Sequence, residues 1–491
     1  MAVNRQIEGD AYVTKEGVYL YPNKEVDVKS LTSFILDNEY RATNYRKNYD
    51  LYTGQHEILN KPHDPKSARP DNRLVSNWAN YVVDTYVGYF MGKPPKITFD
   101  DDGRNDQLQD WLRLNSFKDK LAEIAKQVAI YGRSYMLAYQ SEDASSEVAV
   151  VDPSSGFMIY DTSINPKPIA FVRYGYLGTQ LHGEMYTSNK IKTFTENQFE
   201  EETTTLFKEV PAVEFISSSQ RLGIVGKIAS LVNEYDRAFS QKANQVAYFD
   251  EAYLKILGIP LERDPETGEP ILDIDKNKVI YSPSQDATNG DVDFISKPDG
   301  DNMQENMLNR LKDDIFQTAM VTNLNDEAFS GNSSGVAIKY KLLSMQNQAA
   351  FEERKFRISL RQLLGSILSM GKVVGSITAD DVKKDLRMHF DRNIPADIAN
   401  QAEIGQDLQG IVSKETQLAN MPDVVEDPRA EIKRIADEQA EQIKQAVKNS
   451  ASATDIAKGG NNGEDTQEPS ERGVLAGSGQ GGTNLDKAKP S

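Results

Sequence analysis

The chain has 491 residues, no cysteine, a net charge of −18 and a mean hydropathy of −0.57. That length suffices for roughly three domains at ~150 residues each, and the missing thiol excludes disulfides and thiolate-held zinc. An acidic field of this size disfavours nonspecific adhesion to DNA or anionic membranes.

The opening stretch MAVNRQIEGDAYV lacks the apolar core of a signal peptide, and no window reaches the ~20 apolar residues of a membrane span. Residues 1–28 mix Gly, Tyr and charge without period and read as an arm. Leu31, Phe34, Ile35, Tyr40, Tyr45, Tyr49 and Tyr52 recur at helical spacing, predicting a helix from Ser30 to Thr53 that stops at Gly54. Three prolines make residues 55–70 a loop. A second helix is expected over Asn72–Met91, with Leu74, Trp78, Tyr81, Val82, Tyr86 and Tyr89 on one face. Gly92-Lys93-Pro94-Pro95 ends it, because proline cannot continue the hydrogen-bond ladder. Asn105–Ala129 reads as one further helix. Alternating segments around SYMLAYQ, EVAVVDP, FMIYD and IAFVRYGYLG, followed by one or two hairpins, predict a mostly antiparallel sheet. Residues 97–215 are therefore α+β.

Gly223–Asp250 is again helical, and residues 251–300 change to short strands with turns at Asp264–Gly268 and Asn289–Asp291. A helix follows over Asp301–Met320, then a polar break from Val321 to Gly335. Glycine there accepts positive φ, and Ser and Asn bond their own backbone, so the break reads as a solvent-facing loop. From Gly335 to about Met370 a single helix would span on the order of 50 Å at ~1.5 Å per residue. Leu342, Leu343, Met345, Phe351, Phe356, Leu360, Leu363, Leu364, Ile367 and Leu368 are expected to pack, and Glu352, Glu353, Arg354, Lys355 and Arg357 to carry charge on the other side. This helix is either a spine inside one domain or a rod packed on its own copy in a ring. A small strand in LRMHFDRNIP, helices over 398–408 and 414–421, and a charged helix over 427–448 with Pro428 in its first turn complete the chain. From Asn449 the composition predicts disorder.

Three apparent sites fail on mechanism. Gly477–Gly482 fits G-x-G-x-x-G, but no strand precedes it and no helix follows, so nothing would cradle a phosphate. Asp273, Asp275 and Asn277 open like a calcium loop, yet Lys278 stands where glycine is required and Ser284 where a bidentate Glu should be. His56 and His63 lie in a loop far from His182 and His389, and read as surface or hydrogen-bonded histidines. No P-loop, G-x-S-x-G or H-E-x-x-H motif is present. No catalytic residue, metal ligand or cofactor site is assigned, and an assembly protein is the favoured class.

The segment Phe329-Ser330-Gly331-Asn332-Ser333-Ser334-Gly335-Val336-Ala337-Ile338-Lys339-Tyr340-Lys341-Leu342 resembles the loop-to-spine-helix segment of portal proteins of tailed bacteriophages, in the branch typical of long-tailed phages of Gram-positive hosts. Asn72–Trp78 with Gly92-Lys93-Pro94, Ile130–Tyr135, Val151-Asp152-Pro153 with Ile159-Tyr160-Asp161, and Asp391–Pro395 with Ile411–Thr416 resemble further family segments in the same order. The resemblance spans roughly residues 30–445.

It implies an α+β, portal-type fold with an α/β wing, two-helix stem, small β-rich clip, long spine helix and helical crown. The expected division is 1–28 N-terminal arm, 29–222 wing, 223–250 first stem helix, 251–300 clip, 301–320 second stem helix, 321–335 tunnel loop, 336–375 spine helix, 376–448 crown and 449–491 disordered tail. Such proteins form a ring, twelve subunits in the virion, at one capsid vertex, and double-stranded DNA passes through it during packaging and ejection. The implied partners are terminase and a head-completion or connector protein at the clip, with scaffolding and major capsid proteins, and no membrane. The ring has no enzymatic activity or cofactor, belongs to the virion and assembles in the host cytoplasm.

Asn323, Asn325, Asp326, Glu327, Phe329, Ser330, Gly331, Asn332, Ser333, Ser334 and Gly335 would face the channel as the tunnel loop. Its only charges are Asp326 and Glu327, which suits contact with DNA without clamping, since each neutralised phosphate adds affinity and friction. Lys339 and Lys341 are the basic groups best placed for transient phosphate contact, or else pair with acidic residues of a neighbouring subunit. Two other classes remain open at this level. One is a minor capsid or scaffolding factor without a channel. The other is an acidic cytoplasmic enzyme with an unrecognised site in residues 97–215.

Overall fold

Asp27 marks where the first helix begins. Its carboxylate accepts the Ser30 N–H at 2.8 Å, and α1 runs over Val28–Thr53. Gly54 stops it with φ 84°, the left-handed region that glycine enters without strain. The computed structural model describes residues 4–63, 70–141, 145–196, 198–249, 253–259, 261–265, 279–282, 291–295, 301–325, 335–368, 377–394, 398–421, 424–425 and 427–458. Two compact units divide the chain, residues 1–395 and 396–491.

In the first unit, β1 (Arg5–Glu8), β2 (Ala11–Val13) and β3 (Tyr19–Leu20) come from the stretch read as an arm. They join β7 (Gly156–Tyr160), β8 (Pro168–Leu177), β9 (Gln180–Tyr186), β10 (Lys190–Thr195) and β11 (Phe199–Thr204) in an eight-stranded sheet of that order. Its pairs are antiparallel except β3 with β7. The apolar side of α1 closes on this sheet, where Tyr19 meets Phe34 and Phe157 edge-on at 5.2 and 4.9 Å. A second antiparallel sheet has the order β12 (Ala212–Ile216), β5 (Arg133–Gln140), β6 (Ser146–Val151), and β4 (Lys96–Thr98) pairs with β16 (Arg387–His389).

Two helical expectations change around the early helices. The helix expected from Asn72 begins only at Trp78, so α2 is Trp78–Met91, capped by Asn77 on the Asn80 N–H at 3.1 Å. The single helix expected over Asn105–Ala129 is two, α3 (Asp102–Leu114) and α4 (Phe117–Tyr131), broken at Ser116 with φ 48°. The break follows from Asn115. Its buried side chain reaches β6, accepting the Val148 N–H at 3.2 Å and donating to the Ser146 carbonyl at 3.3 Å. That competes with the helical ladder.

α4 then passes to β5 at Gly132, whose φ is 88° and where a Cβ would fall 2.1 Å from the Arg221 carbonyl. Only glycine permits this approach, which sets the start of α5 (Ile224–Phe249) against the end of α4. Helix α6 (Asp301–Ala319), α7 (Gly335–Lys341), α8 (Leu343–Leu368) and α9 (Ala379–Lys384) follow. The long helix expected from Gly335 is thus α7 and α8 with Leu342 between, and its ladder carries across through Leu342 N–H to Ile338 and Gln346 N–H to Leu342. α8 lies in the main core, where Phe356 packs edge-on to Phe90 and Phe215 at 5.3 and 5.2 Å.

The second unit holds α10 (Ile398–Asp407), α11 (Lys414–Ala419) and α12 (Pro428–Lys458). Ser413 caps α11 on the Thr416 N–H, and Arg429 of α12 bonds Glu415 at 2.7 Å. α12 continues past Lys448 through residues expected to be disordered; residues 459–491 lie outside the described ones.

Candidate functional site

Helices α5 and α6 lie side by side and bracket the segment 250–300. The apolar stripe of α5 buries Ile224, Val225, Ile228 and Val232, and that of α6 buries Leu308, Ile315, Phe316 and Ala319. Lys242 and Glu305 join them at 2.5 Å. Between them in sequence, β13 (Tyr253–Leu257) is the middle strand of a three-stranded sheet. It runs parallel to β14 (Val279–Ser282) and antiparallel to β15 (Asp291–Ile295).

The stripe of α5 turns polar at Asp236 and Ser240, both buried. These receive the extended segment before α2. The N–H groups of Asn72, Leu74 and Ser76 donate to the side chains of Asn244, Ser240 and Asp236 at 2.6, 2.9 and 2.9 Å. Two extended residues advance ~6.6 Å and four helical residues ~6 Å, so alternate amides keep step with every fourth side chain. This explains why residues 72–76 stay extended although their apolar spacing suggests helix.

His56 completes the anchor. It is fully buried, with Nδ1 against the Asp236 carboxylate and Nε2 donating to the Leu51 carbonyl at 2.9 Å. Burial opposes its charge, but Asp236 and the carbonyl favour the imidazolium that satisfies both acceptors, and the net shift is upward. His56 thus fits the expectation of a hydrogen-bonded histidine. Its role was not legible; the one signal was a pair of polar residues four apart on the buried stripe of α5.

The loop after α6 has a defined base. Met320 takes φ 56° and Val321 donates back to Phe316 at 3.1 Å, ending the helix. Thr322 Oγ1 donates to the Lys341 carbonyl at 3.0 Å, bringing together the two ends of the excursion. Asn323 and Asn325 follow, with the Asn325 N–H on the Asn323 side chain at 3.1 Å. Asp326, Glu327, Phe329, Ser330, Gly331, Asn332, Ser333 and Ser334 lie outside the described residues, and Gly335 is the first residue of α7. Lys339 is exposed and Lys341 half-buried in that short helix, so both stand within one helix of the loop.

On α8 the expected sides are exchanged at one step. Phe351, expected to pack, is 64% exposed, and Glu352, expected on the charged side, is 2% exposed. Helical period decides this, since residue 352 falls in line with buried Met345, Ala349 and Phe356. Glu352 accepts the Tyr86 hydroxyl at 2.8 Å, and its other oxygen has no hydrogen-bond partner among the described residues. Burial pushes its pKa up to about 7, with Tyr86, Lys227 and Arg392 offsetting only part. Leu343 is also exposed, against expectation.

Among the described residues no group of three His, Cys, Asp or Glu could hold a metal ion, and no helix is long and apolar enough to cross a membrane. The features described are architectural: the α5–α6 pair, a small sheet encoded between these helices, the Thr322–Lys341 bond after α6, and α8 with one side in the main core.

A family model described as phage portal protein, SPP1 Gp6-like, matches residues 33–445. The portal protein of Clostridium phage phiCD119 is 24% identical over 408 residues, covering 77% of this chain and 87% of its own. A chain in the neck of an empty GTA particle, computed with C6 symmetry, is similar over 70% of this chain and 89% of that one. It has 12% sequence identity and a TM-score of 0.44.

Proposed function

Given that the chain belongs to the SPP1 Gp6-like family of phage portal proteins, non-enzymatic virion components forming the DNA packaging channel at a capsid vertex, we propose how its own elements divide that task. Residues 29–222 are the wing, α5 and α6 the stem, and the sheet of β13, β14 and β15 the clip. Residues 321–334 are the tunnel loop, which gives up Gly335 to helix, α7 and α8 are the spine, and residues 376–448 the crown. The subunits close a ring, twelve in the virion, with double-stranded DNA in the channel. Terminase and then a head-completion protein dock on the clip, and scaffolding and capsid proteins surround the ring.

The single observation that carries the assignment of function is the family match over residues 33–445. The hydrogen bond from Thr322 to Lys341 supports the tunnel-loop reading, because it brings the end of α6 and the end of α7 together on either side of that segment. Lys339 and Lys341 then give weak, transient phosphate contacts at the loop's edge.

Imaging of the purified full chain tests the ring: particles with a central hole are expected, and a strict monomer at high concentration overturns it. Deleting residues 323–334 is expected to leave rings intact while DNA packaging falls at least tenfold. Unchanged packaging would remove the loop from the channel. Lys339→Ala with Lys341→Ala should slow packaging without affecting assembly, and no change in rate would discard the phosphate contact.

A further inference from the structure

The wing's eight-stranded sheet, strand β12 and helix α8 enclose an open groove of about 1110 Å³. The charge of its lining is reversed relative to the whole molecule. Seven Lys or Arg and four Asp or Glu line it, whereas the chain carries 56 basic and 74 acidic residues. Lys24, Lys167, Lys208 and Lys355 form no ion pair among the described residues. At the floor, Glu214 is held between Arg221 at 2.8 Å and Arg133 at 3.5 Å, so this buried trio is itself net positive.

The rim of the groove continues onto the outward side of α8, where Lys355 and Ile358 belong to both. Leu343, Phe351, Arg354, Lys355, Ile358 and Arg361 fall within roughly a third of the helix circumference at ~3.6 residues per turn. Phe351 is 64% exposed, Ile358 55% and Leu343 47%, and Arg354 lies over the Phe351 ring at 5.3 Å. Large apolar side chains flanked by cations, at helical spacing, give this face the character of an interface centre rather than of solvated surface.

We propose that the groove and the outward face of α8 are the seat of a second copy of this chain, which covers them with an acidic part of its own surface. The inference rests on the ring reading and assigns it a face. A closed ring of identical copies joins two different surfaces of one chain. Copies of net charge −18 repel one another unless the contact is locally complementary. The basic groove supplies one half of such a contact, and the acidic excess elsewhere supplies the other. Docked there, the neighbour removes Phe351 and Ile358 from water and pairs the cations around them.

The chain has no cysteine, which makes the test direct. Ile358→Cys and Phe351→Cys are made in the full-length protein, with Leu114→Cys on α3 as reference. Maleimide labelling rates are compared between the ring and the monomer fractions. Both α8 positions should label at least tenfold more slowly in the ring, relative to Leu114→Cys. Equal rates in ring and monomer overturn the assignment while leaving the ring itself standing, and a chain that forms no ring overturns both readings. Protection of Ile358→Cys in the monomer by a short DNA duplex would make nucleic acid the occupant and also overturn it. As a second arm, Lys355→Glu with Arg361→Glu should keep the helical circular-dichroism spectrum while the ring fraction falls at least tenfold. Rings at normal yield count against the proposal.

Discussion

Phe351 and Glu352 sit side by side on α8, each where composition would place the other. Residue type suggests that phenylalanine packs and glutamate is solvated. Period places residue 352 on the stripe of Met345, Ala349 and Phe356, and at this step period prevails. The stripe as a whole was readable; a charged residue inside it was not, because its partner Tyr86 lies far away in sequence. The exchange has a measurable consequence. Glu352 has a pKa of about 7, raised from 4.5, so the folded chain holds an extra proton between those values. Stability from this group is complete below about 4.5 and is lost as pH rises through about 7. His56, raised from 6.5, adds a loss in the same direction above that pH. Glu352→Gln keeps an acceptor for Tyr86 and cannot ionise. It should flatten the fall in unfolding free energy between pH 5 and pH 8 by on the order of 2 kcal/mol, at about 1.4 kcal/mol per pKa unit. Urea titrations at both pH values measure it, and an unchanged slope would exclude Glu352 as the titrating group.

Among the elements, most helices and strands could be read from apolar spacing, and the two misreadings around α2 and α3 share a cause. At residues 72–76 and at Asn115, backbone or side-chain groups find better partners across the fold than within a helix. Those partners, Asp236, Ser240 and Asn244 in one case and Val148 in the other, come from distant sequence. Local pattern carries no trace of them. The extended segment's hold on α5 is therefore open to test at its middle rung. Ser240 accepts the Leu74 N–H at 2.9 Å and donates to its carbonyl at 3.3 Å. Ser240→Ala leaves both backbone groups without that partner and should cost about 1–2 kcal/mol. Amide exchange at Leu74 is expected to accelerate about tenfold, and an unchanged rate would show that the rung does not hold the segment.

For the molecule as a whole, the α+β class and the portal family were legible, the first from patterning and the second from several motifs in the right order. The segment that most of the functional expectation turns on reads from sequence only as a loop, since Ser, Gly and Asn specify no single path, and residues 326–334 of it lie outside the described ones. Charge is the property that acts at this scale. A chain of net −18 that guides DNA has to remain a poor DNA binder. Fluorescence anisotropy with a short duplex should give a Kd weaker than about 10⁻⁴ M at 150 mM salt, the weak end of nonspecific binding. Micromolar affinity would contradict a conduit that lets its cargo slide.

The bond from Thr322 to Lys341 also has a mechanical meaning. Under the proposed channel assignment, a filament pulling on the segment after Thr322 would load both of its ends at once, because Thr322 and Lys341 meet. That load would be divided between the end of α6 and the start of α7 and α8 instead of peeling either helix from its end. Because α8 is anchored in the main core by Phe356, Leu360 and Leu364, a pull delivered to its start would end in packed side chains.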